Sequence, residues 1–98
     1  MDYLDIERIN QALGTKNRIA LLTIMKDKVY EKKELSELLS LRNETLSQHL
    51  RALKRANIVN EYHYNRKTYY TVNVATLREY RKKLTETFRM IEVTAENS

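Results

Sequence analysis

The 98-residue sequence contains no cysteine, no proline and no tryptophan, and it has a single glycine. Without cysteine, the chain has no disulfide, no thiolate metal ligand and no cysteine nucleophile. The scarcity of glycine and proline excludes collagen-like, flexible-linker and glycine-rich phosphate-loop sequences, and it favours long uninterrupted helices. Because the hydrophobic fraction of 42% is typical of a globular protein, we expect one helix-rich domain over residues 1–98.

Long hydrophobic runs are also missing from the sequence. The longest apolar run, residues 19–22, is far shorter than the roughly 18–20 residues that a membrane span needs. The first five residues include two acidic side chains, Asp2 and Asp5, and lack the basic-then-apolar pattern of a secretory signal. We therefore expect a cytoplasmic protein without a membrane partner.

Positive charge is concentrated in the second part of the chain. Residues 1–41 carry seven basic and seven acidic side chains, whereas residues 42–98 carry eleven basic and six acidic ones. The whole formal charge of +5 therefore lies in the second part, which suggests an anionic partner there. A solvated basic surface without any partner is the alternative.

Helical periodicity dominates the first half of the sequence. A first helix over residues 3–13 has its apolar stripe at Ile6, Ile9 and Leu13. We expect Gly14 to end it in the left-handed region and Thr15 to cap the second helix. The apolar face expected for that second helix consists of Ile19, Leu21, Leu22, Ile24 and Met25.

Two short helices and a tight turn are predicted over residues 33–56, which is the pattern of a helix-turn-helix. The first, about residues 33–39, is expected to bury Leu35, Leu38 and Leu39. The second, about residues 43–56, is expected to bury Leu46, Leu50 and Leu53, which recur at i, i+4 and i+7.

A β-hairpin is predicted over residues 58–74, where β-branched and aromatic residues replace the helical pattern. Asn65 is the residue between the strands most able to accept a positive φ. A last helix over residues 75–93 follows, and the tail beyond it is expected to fray. The predicted fold is mainly α with a β-hairpin, a winged helix-turn-helix with the order α-α-α-α-β-β-α.

This arrangement predicts binding to double-stranded DNA, with the second helix of the helix-turn-helix in the major groove. Gln48 suits a bidentate contact with adenine, and Arg51 suits guanine or phosphate. Arg66 and Lys67 are adjacent cations at the tip of the hairpin. The full set of candidate DNA-binding residues is Arg42, Asn43, Glu44, Thr45, Ser47, Gln48, His49, Arg51, Arg55, Arg66 and Lys67.

Two of these candidates have open alternatives. His49 lies beside the leucine stripe, so a partly packed, hydrogen-bonded histidine is as good an interpretation as a DNA contact. Glu44 either accepts a hydrogen bond from cytosine N4 or is a charge that stabilises the helix N-terminus.

The apolar stripes of the first and last helices predict a homodimer, because one small monomer has little interior left to cover both. Packing of these helices within the monomer is the alternative. The predicted dimer residues are Ile6, Ile9, Leu13, Leu77, Tyr80, Leu84, Phe88 and Ile91.

Over about residues 12–74 the sequence resembles the ArsR-type winged-helix repressors. The likeness rests on Ala12-Leu13-Gly14 with Arg18, on the segments ELSELLSL (34–41) and TLSQHL (45–50), and on the hairpin after Ile58-Val59. The resemblance implies a homodimer, paired through its first and last helices, that binds a pseudo-palindromic operator as a repressor associated with the nucleoid.

The sequence departs from that family at three points. Ser40 stands where the family usually has glycine, and Arg42 stands where it usually has a serine cap, so we expect Asn43 to cap the helix instead. Metal-sensing members carry cysteines near the third helix, or histidine and carboxylate ligands on the last one. Here residues 29–35 have no cysteine and the last helix has no histidine, so we expect neither a metal nor another cofactor. The resemblance does not identify an effector.

The sequence does not support an enzymatic function, since it has no nucleophile–base motif, no phosphate loop and no metal-ligand spacing. The alternative function is a protein-interaction module on the same scaffold, without specific DNA binding.

Overall fold

A computed structural model describes residues 1–98, apart from the side chain of Tyr3. The predicted order of helices and hairpin is confirmed, and a two-residue strand is added before the third helix. The elements are α1 (Tyr3–Ala12), α2 (Lys16–Ile24), β1 (Tyr30–Glu31), α3 (Lys32–Leu39), α4 (Asn43–Arg55), β2 (Val59–Tyr64), β3 (Lys67–Val72) and α5 (Val74–Glu96).

The three strands form one antiparallel sheet in the order β1-β3-β2. Tyr64 pairs with Lys67, so only Asn65 and Arg66 connect β2 to β3. Both have positive φ, at 49° and 62°, as a type I′ turn requires. The prediction for Asn65 is confirmed. Arg66 adopts the same backbone region despite the steric cost to a residue with a Cβ.

The core lies between the helix-turn-helix, the sheet and α1. The three leucines of α4, Leu46, Leu50 and Leu53, are at most 2% exposed, as their spacing predicted. Two other apolar predictions are wrong: Leu38 is 59% exposed and Ile19 is 46% exposed. The buried face of α2 passes through Leu21 and continues to Met25 at the C-cap, four residues later, which turns Ile19 towards solvent.

The junction between α1 and α2 differs from its prediction in one respect. Thr15 caps α2 as expected, its Oγ1 accepting a hydrogen bond from the Arg18 amide at 3.3 Å. Gly14 does not have a positive φ. The absence of a side chain avoids a close contact instead, because a Cβ at position 14 would lie 3.3 Å from the Gln11 carbonyl oxygen.

The turn of the helix-turn-helix is built on Ser40, which has a φ of 52°. The Ser40 amide donates to the Glu37 carbonyl and the Leu41 amide to the Ser36 carbonyl, the paired bonds that end a helix in a left-handed residue. Helix α4 then begins at Asn43. Arg42 occupies its N-cap position without a side-chain capping bond, so the prediction that Asn43 is the cap is wrong.

Helix α5 extends well beyond the rest of the domain. Its 23 residues reach Glu96, so the prediction of a frayed tail after residue 93 is wrong. The molecule measures 57 × 23 × 23 Å, and its radius of gyration of 15.8 Å exceeds the roughly 13 Å expected of a compact chain of this length. None of the helices in the described part of the chain is long and apolar enough to span a membrane.

Candidate nucleic-acid interface

Helix α4 turns its leucines into the core and presents a polar, basic face to solvent. Gln48 and Arg51 are exposed near the middle of that face, with Glu44 one turn before Gln48. Arg42 and Asn43 are exposed at the amino-terminal end and Arg55 at the carboxy-terminal end. Seven of the predicted DNA-binding side chains are therefore accessible or partly accessible along one helix: Arg42, Asn43, Glu44, Thr45, Gln48, Arg51 and Arg55.

The wing tip lies close to the start of α4. Arg66 and Lys67 share a groove of about 300 Å³ with Asn43 and with the first residues of α3, including Lys32 and Lys33. Four cations therefore line one groove beside the amino-terminal end of the candidate recognition helix. Such a groove suits the phosphate backbone, which is contacted mainly by lysine, arginine and helix N-termini.

Lys32 and Lys33 were missed by the sequence reasoning. They precede the apolar stripe of α3 in a stretch of balanced charge, and nothing in their spacing connects them with the hairpin. The pairing of Glu31 with Tyr69 brings them to the wing. In the sequence, the one indication of this pairing is that Val29 and Tyr30 suit a short extended segment, and nothing there identifies its partner strand.

Ser47 does not point freely outward as a flanking DNA contact would. Its Oγ accepts a hydrogen bond from Lys32 Nζ at 2.6 Å, and the side chain is half-buried. This bond connects the beginning of α3 to the second turn of α4. Ser47 is therefore placed to orient the two helices of the helix-turn-helix relative to each other.

His49 is half-buried and hydrogen-bonded to α2, in line with the structural interpretation. Its Nδ1 accepts a hydrogen bond from Arg18 Nε at 3.2 Å, so the neutral ring carries its proton on Nε2. Nε2 is buried and has no partner among the described residues. Burial, and then the positive charge of Arg18, lower the pKa of His49 below its ordinary value.

A hydrogen-bonded network around Glu61 joins α4 to the wing. The Glu61 carboxylate accepts from the Tyr70 hydroxyl at 2.7 Å and from Lys54 Nζ at 2.9 Å, and His63 Nε2 lies 3.0 Å away. The Tyr70 bond first, and then Lys54, lower the pKa of Glu61 to about 2. Burial and the neighbouring carboxylate raise the pKa of Tyr70. The carboxylate thus connects the last turn of α4 to the sheet.

The predicted dimer residues fall into two groups. Ile9 is 1% exposed, and Leu13, Leu77 and Tyr80 pack partly buried against the core of the same chain. The Tyr80 hydroxyl also donates to Asn10 Oδ1, which joins α5 to α1. Half-buried Ile6 and Leu84, and exposed Phe88 and Ile91, lie at the surface.

Metal-binding groups are not assembled in this structure. Among the described residues, no three histidine, aspartate or glutamate side chains lie close enough to hold a metal ion. The interface residues instead supply hydrogen-bond donors and positive charge, which is the chemistry of binding to a polyanion.

Comparison with known proteins agrees with this geometry. The model of the arsR family of bacterial regulatory proteins matches residues 15–61, which include all of α2, α3 and α4. Over these residues the chain is similar to that family of regulators. Over most of its length it has the fold of a winged helix-turn-helix domain. No curated protein matches the sequence significantly.

Solved structures extend the likeness beyond the matched segment. An ArsR-like transcriptional regulator from Rhodococcus sp. RHA1 is 19% identical, with a TM-score of 0.86 over 96% of this chain and 89% of the other. HlyU from Vibrio cholerae is 28% identical, with a TM-score of 0.66 over 74% of this chain and 80% of the other. A homodimeric winged helix-turn-helix DNA-binding domain from Mycobacterium bovis is 18% identical, with a TM-score of 0.71 over 90% of this chain and 82% of the other. The fold of this chain is therefore shared over most of its length, including α1 and α5.

Proposed function

We propose that this protein acts as an ArsR-type repressor, binding a pseudo-palindromic DNA operator as a homodimer in the cytoplasm. The observation that carries the proposal is the alignment of the polar face of α4 with the basic groove at the wing tip. A duplex that meets both receives base contacts from the helix and phosphate contacts from the groove.

Base recognition is assigned to the exposed middle of α4. The Gln48 amide has the donor and acceptor arrangement that pairs with adenine, and Arg51 has the fork that pairs with guanine. The Ser47 hydroxyl accepts a hydrogen bond from the Lys32 ammonium and keeps its own O–H as a donor for the DNA. Glu44 remains either a reader of cytosine or a charge that favours the helix N-terminus.

Phosphate binding is assigned to the groove between the wing and α3. Lys32, Lys33, Arg66 and Lys67 line it, and among the described residues Glu31 is the one carboxylate that does so. These contacts carry no sequence information, but they fix the register of the protein on the duplex. They also make the affinity fall steeply with salt, through the release of counterions from the DNA.

The homodimer is proposed on the outer half of α5. Phe88 and Ile91 are 56% and 57% exposed, and with Leu84 they form a stripe at spacings of four and three on a helix that projects from the domain. An apolar stripe of this kind in water favours association. The Mycobacterium bovis neighbour, which is described as homodimeric, supports the same assembly.

The DNA proposal is tested by selecting bound duplexes from a random pool and measuring affinity by fluorescence anisotropy at several salt concentrations. Two half-sites separated by one helical turn, roughly 34 Å, or a multiple of it, are expected. Gln48→Ala should cost about 1–3 kcal/mol at one base position of each half-site. Arg66→Ala should weaken all duplexes alike and reduce the log–log salt slope by about 0.9.

Arg78→Ala, which removes an exposed arginine of α5 outside the groove, is the matched control and should leave the affinity unchanged. Equal effects of Gln48→Ala and Arg66→Ala on every sequence would refute the assignment of base recognition. A folded protein that retards no duplex at low salt would refute DNA binding, and would favour the protein-interaction module. Reporter expression from the selected operator should rise when the protein is absent; a fall would refute repression.

The dimer is tested by sedimentation at micromolar concentration. The wild type should sediment at twice 11.7 kDa, and Phe88→Glu should sediment at 11.7 kDa because it places a charge in the apolar stripe. Met90→Glu is the control, since Met90 is 71% exposed and lies on the opposite side of α5. A wild-type protein that sediments only at 11.7 kDa would overturn the dimer.

A further inference from the structure

A second basic concavity lies away from the wing, where α1, α2 and α4 meet. It has a volume of about 250 Å³ and is lined by three arginines, one from each helix. The arginines are Arg8, Arg18 and Arg55, and the apolar part of the wall consists of Ala12, Ala52 and Ala56. The small alanine side chains leave space between the three arginines that line the concavity.

The Arg18 guanidinium is held in place by the protein. Its Nη1 donates to the carbonyl oxygens of Gln11 and Ala12, both at 3.3 Å, and its Nε donates to His49. Its Nη2 has no acceptor among the described residues and keeps both of its N–H donors for another group. A guanidinium that is already oriented loses little conformational entropy when it binds an anion.

The concavity has no counter-charge of its own. No carboxylate lines it, and the ion pairs among the described residues involve Lys28, Lys54 and His63 rather than these arginines. Three like charges that share one hollow repel each other, and an anion placed between them removes that repulsion. Planar arginine forks match the oxygens of carboxylate and phosphate groups.

We propose that this three-arginine concavity binds a small oxyanionic ligand, one that presents a phosphate or carboxylate group to Arg8, Arg18 and Arg55. Its volume lies below the roughly 300–1,000 Å³ of pockets that enclose drug-sized molecules, so the ligand is a small metabolite or an inorganic anion. The alanine wall accommodates a short apolar portion. None of the residues that line this concavity lines the wing groove, although Arg55 is also a candidate DNA-binding residue.

The test titrates the DNA-free protein with inorganic phosphate and, separately, with succinate at constant ionic strength, and follows backbone amide shifts by NMR. Saturable shifts are expected around residues 8–18 and 52–56 with at least one of the two anions. Whichever of them saturates identifies the group that the site prefers. The variant Arg8→Gln/Arg55→Gln removes two exposed charges without disturbing the bonds of Arg18, and should weaken binding at least tenfold. Arg78→Gln/Arg81→Gln on α5 is the matched control and should bind as the wild type does.

Shifts that spread over all basic surfaces without saturating, or equal binding by the two double variants, would overturn the proposal. Duplex DNA is the rival occupant. If neither anion saturates and Arg8→Gln/Arg55→Gln instead weakens duplex binding, the concavity contacts the DNA backbone and the small-ligand proposal is wrong. Saturable anion binding by a protein that retards no duplex would leave this site standing and the operator proposal refuted.

Discussion

Replacing Glu61 by glutamine tests whether a single carboxylate connects the recognition helix to the wing. The substitution keeps the shape of the side chain and an acceptor for the Tyr70 hydroxyl, but it removes the charge that faces Lys54. Because the pKa of Glu61 falls from 4.5 to about 2 in the folded protein, the charged form stabilises the fold.

The size of the effect follows from the two pKa values of Glu61. A pKa that is lower by about 2.5 in the folded protein corresponds to about 3 kcal/mol of stabilisation, at 1.36 kcal/mol for each unit of pKa. Lys54 and His63 are 54% and 71% exposed, so solvent screens their share of the interaction. We therefore expect Glu61→Gln to lower the free energy of unfolding by about 1–2 kcal/mol at pH 7.

The pH dependence has a definite sign. Between about pH 4.5 and pH 2 the unfolded chain binds a proton at Glu61 that the folded chain does not bind. The stabilisation is therefore present above pH 4.5 and is lost as the pH falls towards 2. The wild type and Glu61→Gln should differ at pH 7 and converge near pH 2.

Urea denaturation at fixed protein concentration, repeated between pH 2.5 and pH 7, measures this difference. Glu79→Gln, which changes an exposed glutamate of α5, is the control and should follow the wild type. A wild-type advantage over Glu61→Gln that is the same at pH 3 and pH 7 would refute the argument. The charge of the carboxylate would then play no part in stability.

Four further substitutions test separate parts of the fold by the same denaturation assay. Ser40→Gly should stabilise the protein by about 0.5–1 kcal/mol, because glycine adopts a φ of 52° without steric cost; a loss of stability would contradict the backbone argument. Leu53→Ala should cost about 2–5 kcal/mol, since Leu53 is fully buried, whereas Leu38→Ala, at a site 59% exposed, should change stability by less than about 0.5 kcal/mol. Wild-type stability should fall as the pH drops below 6.5, because the unfolded chain binds a proton at His49 that the folded chain, with its lowered His49 pKa, does not bind. His49→Met should make stability less dependent on pH in this range. An unchanged pH dependence would disprove the assignment of this effect to His49.

Much of the fold was predictable because its signals are local. The leucines of α4 recur at i, i+4 and i+7, and that spacing places them on one buried face in any globular context. Asn65 took up a positive φ because a two-residue hairpin turn requires one, and the chain offers no glycine there. In contrast, Leu38 and Ile19 were assigned to the wrong side, because a short helix with leucines at adjacent positions fits more than one rotation.

The candidate interface was predictable as a helix and a wing tip, but not as a groove. Gln48, Arg51 and Arg66 follow from helical projection and from the hairpin. Lys32 and Lys33 join Arg66 only because β1 pairs with β3, and a two-residue strand leaves almost no trace in a sequence. Ser47 is predicted as a DNA contact from its place on the helix, but its hydrogen bond with Lys32, fifteen positions earlier, is visible only in the tertiary structure.

The sequence by itself determined which residues are apolar and at what period, and hence the order of helices and hairpin. Its lack of cysteine also excluded thiolate chemistry. Only the tertiary structure decided which surface each side chain meets. It buried Ile9 in the chain's own core while leaving Phe88 exposed, and it gathered three arginines from separate helices around one concavity. The physical reason is that periodicity acts within one element, whereas burial and charge clustering depend on contacts between residues distant in the chain.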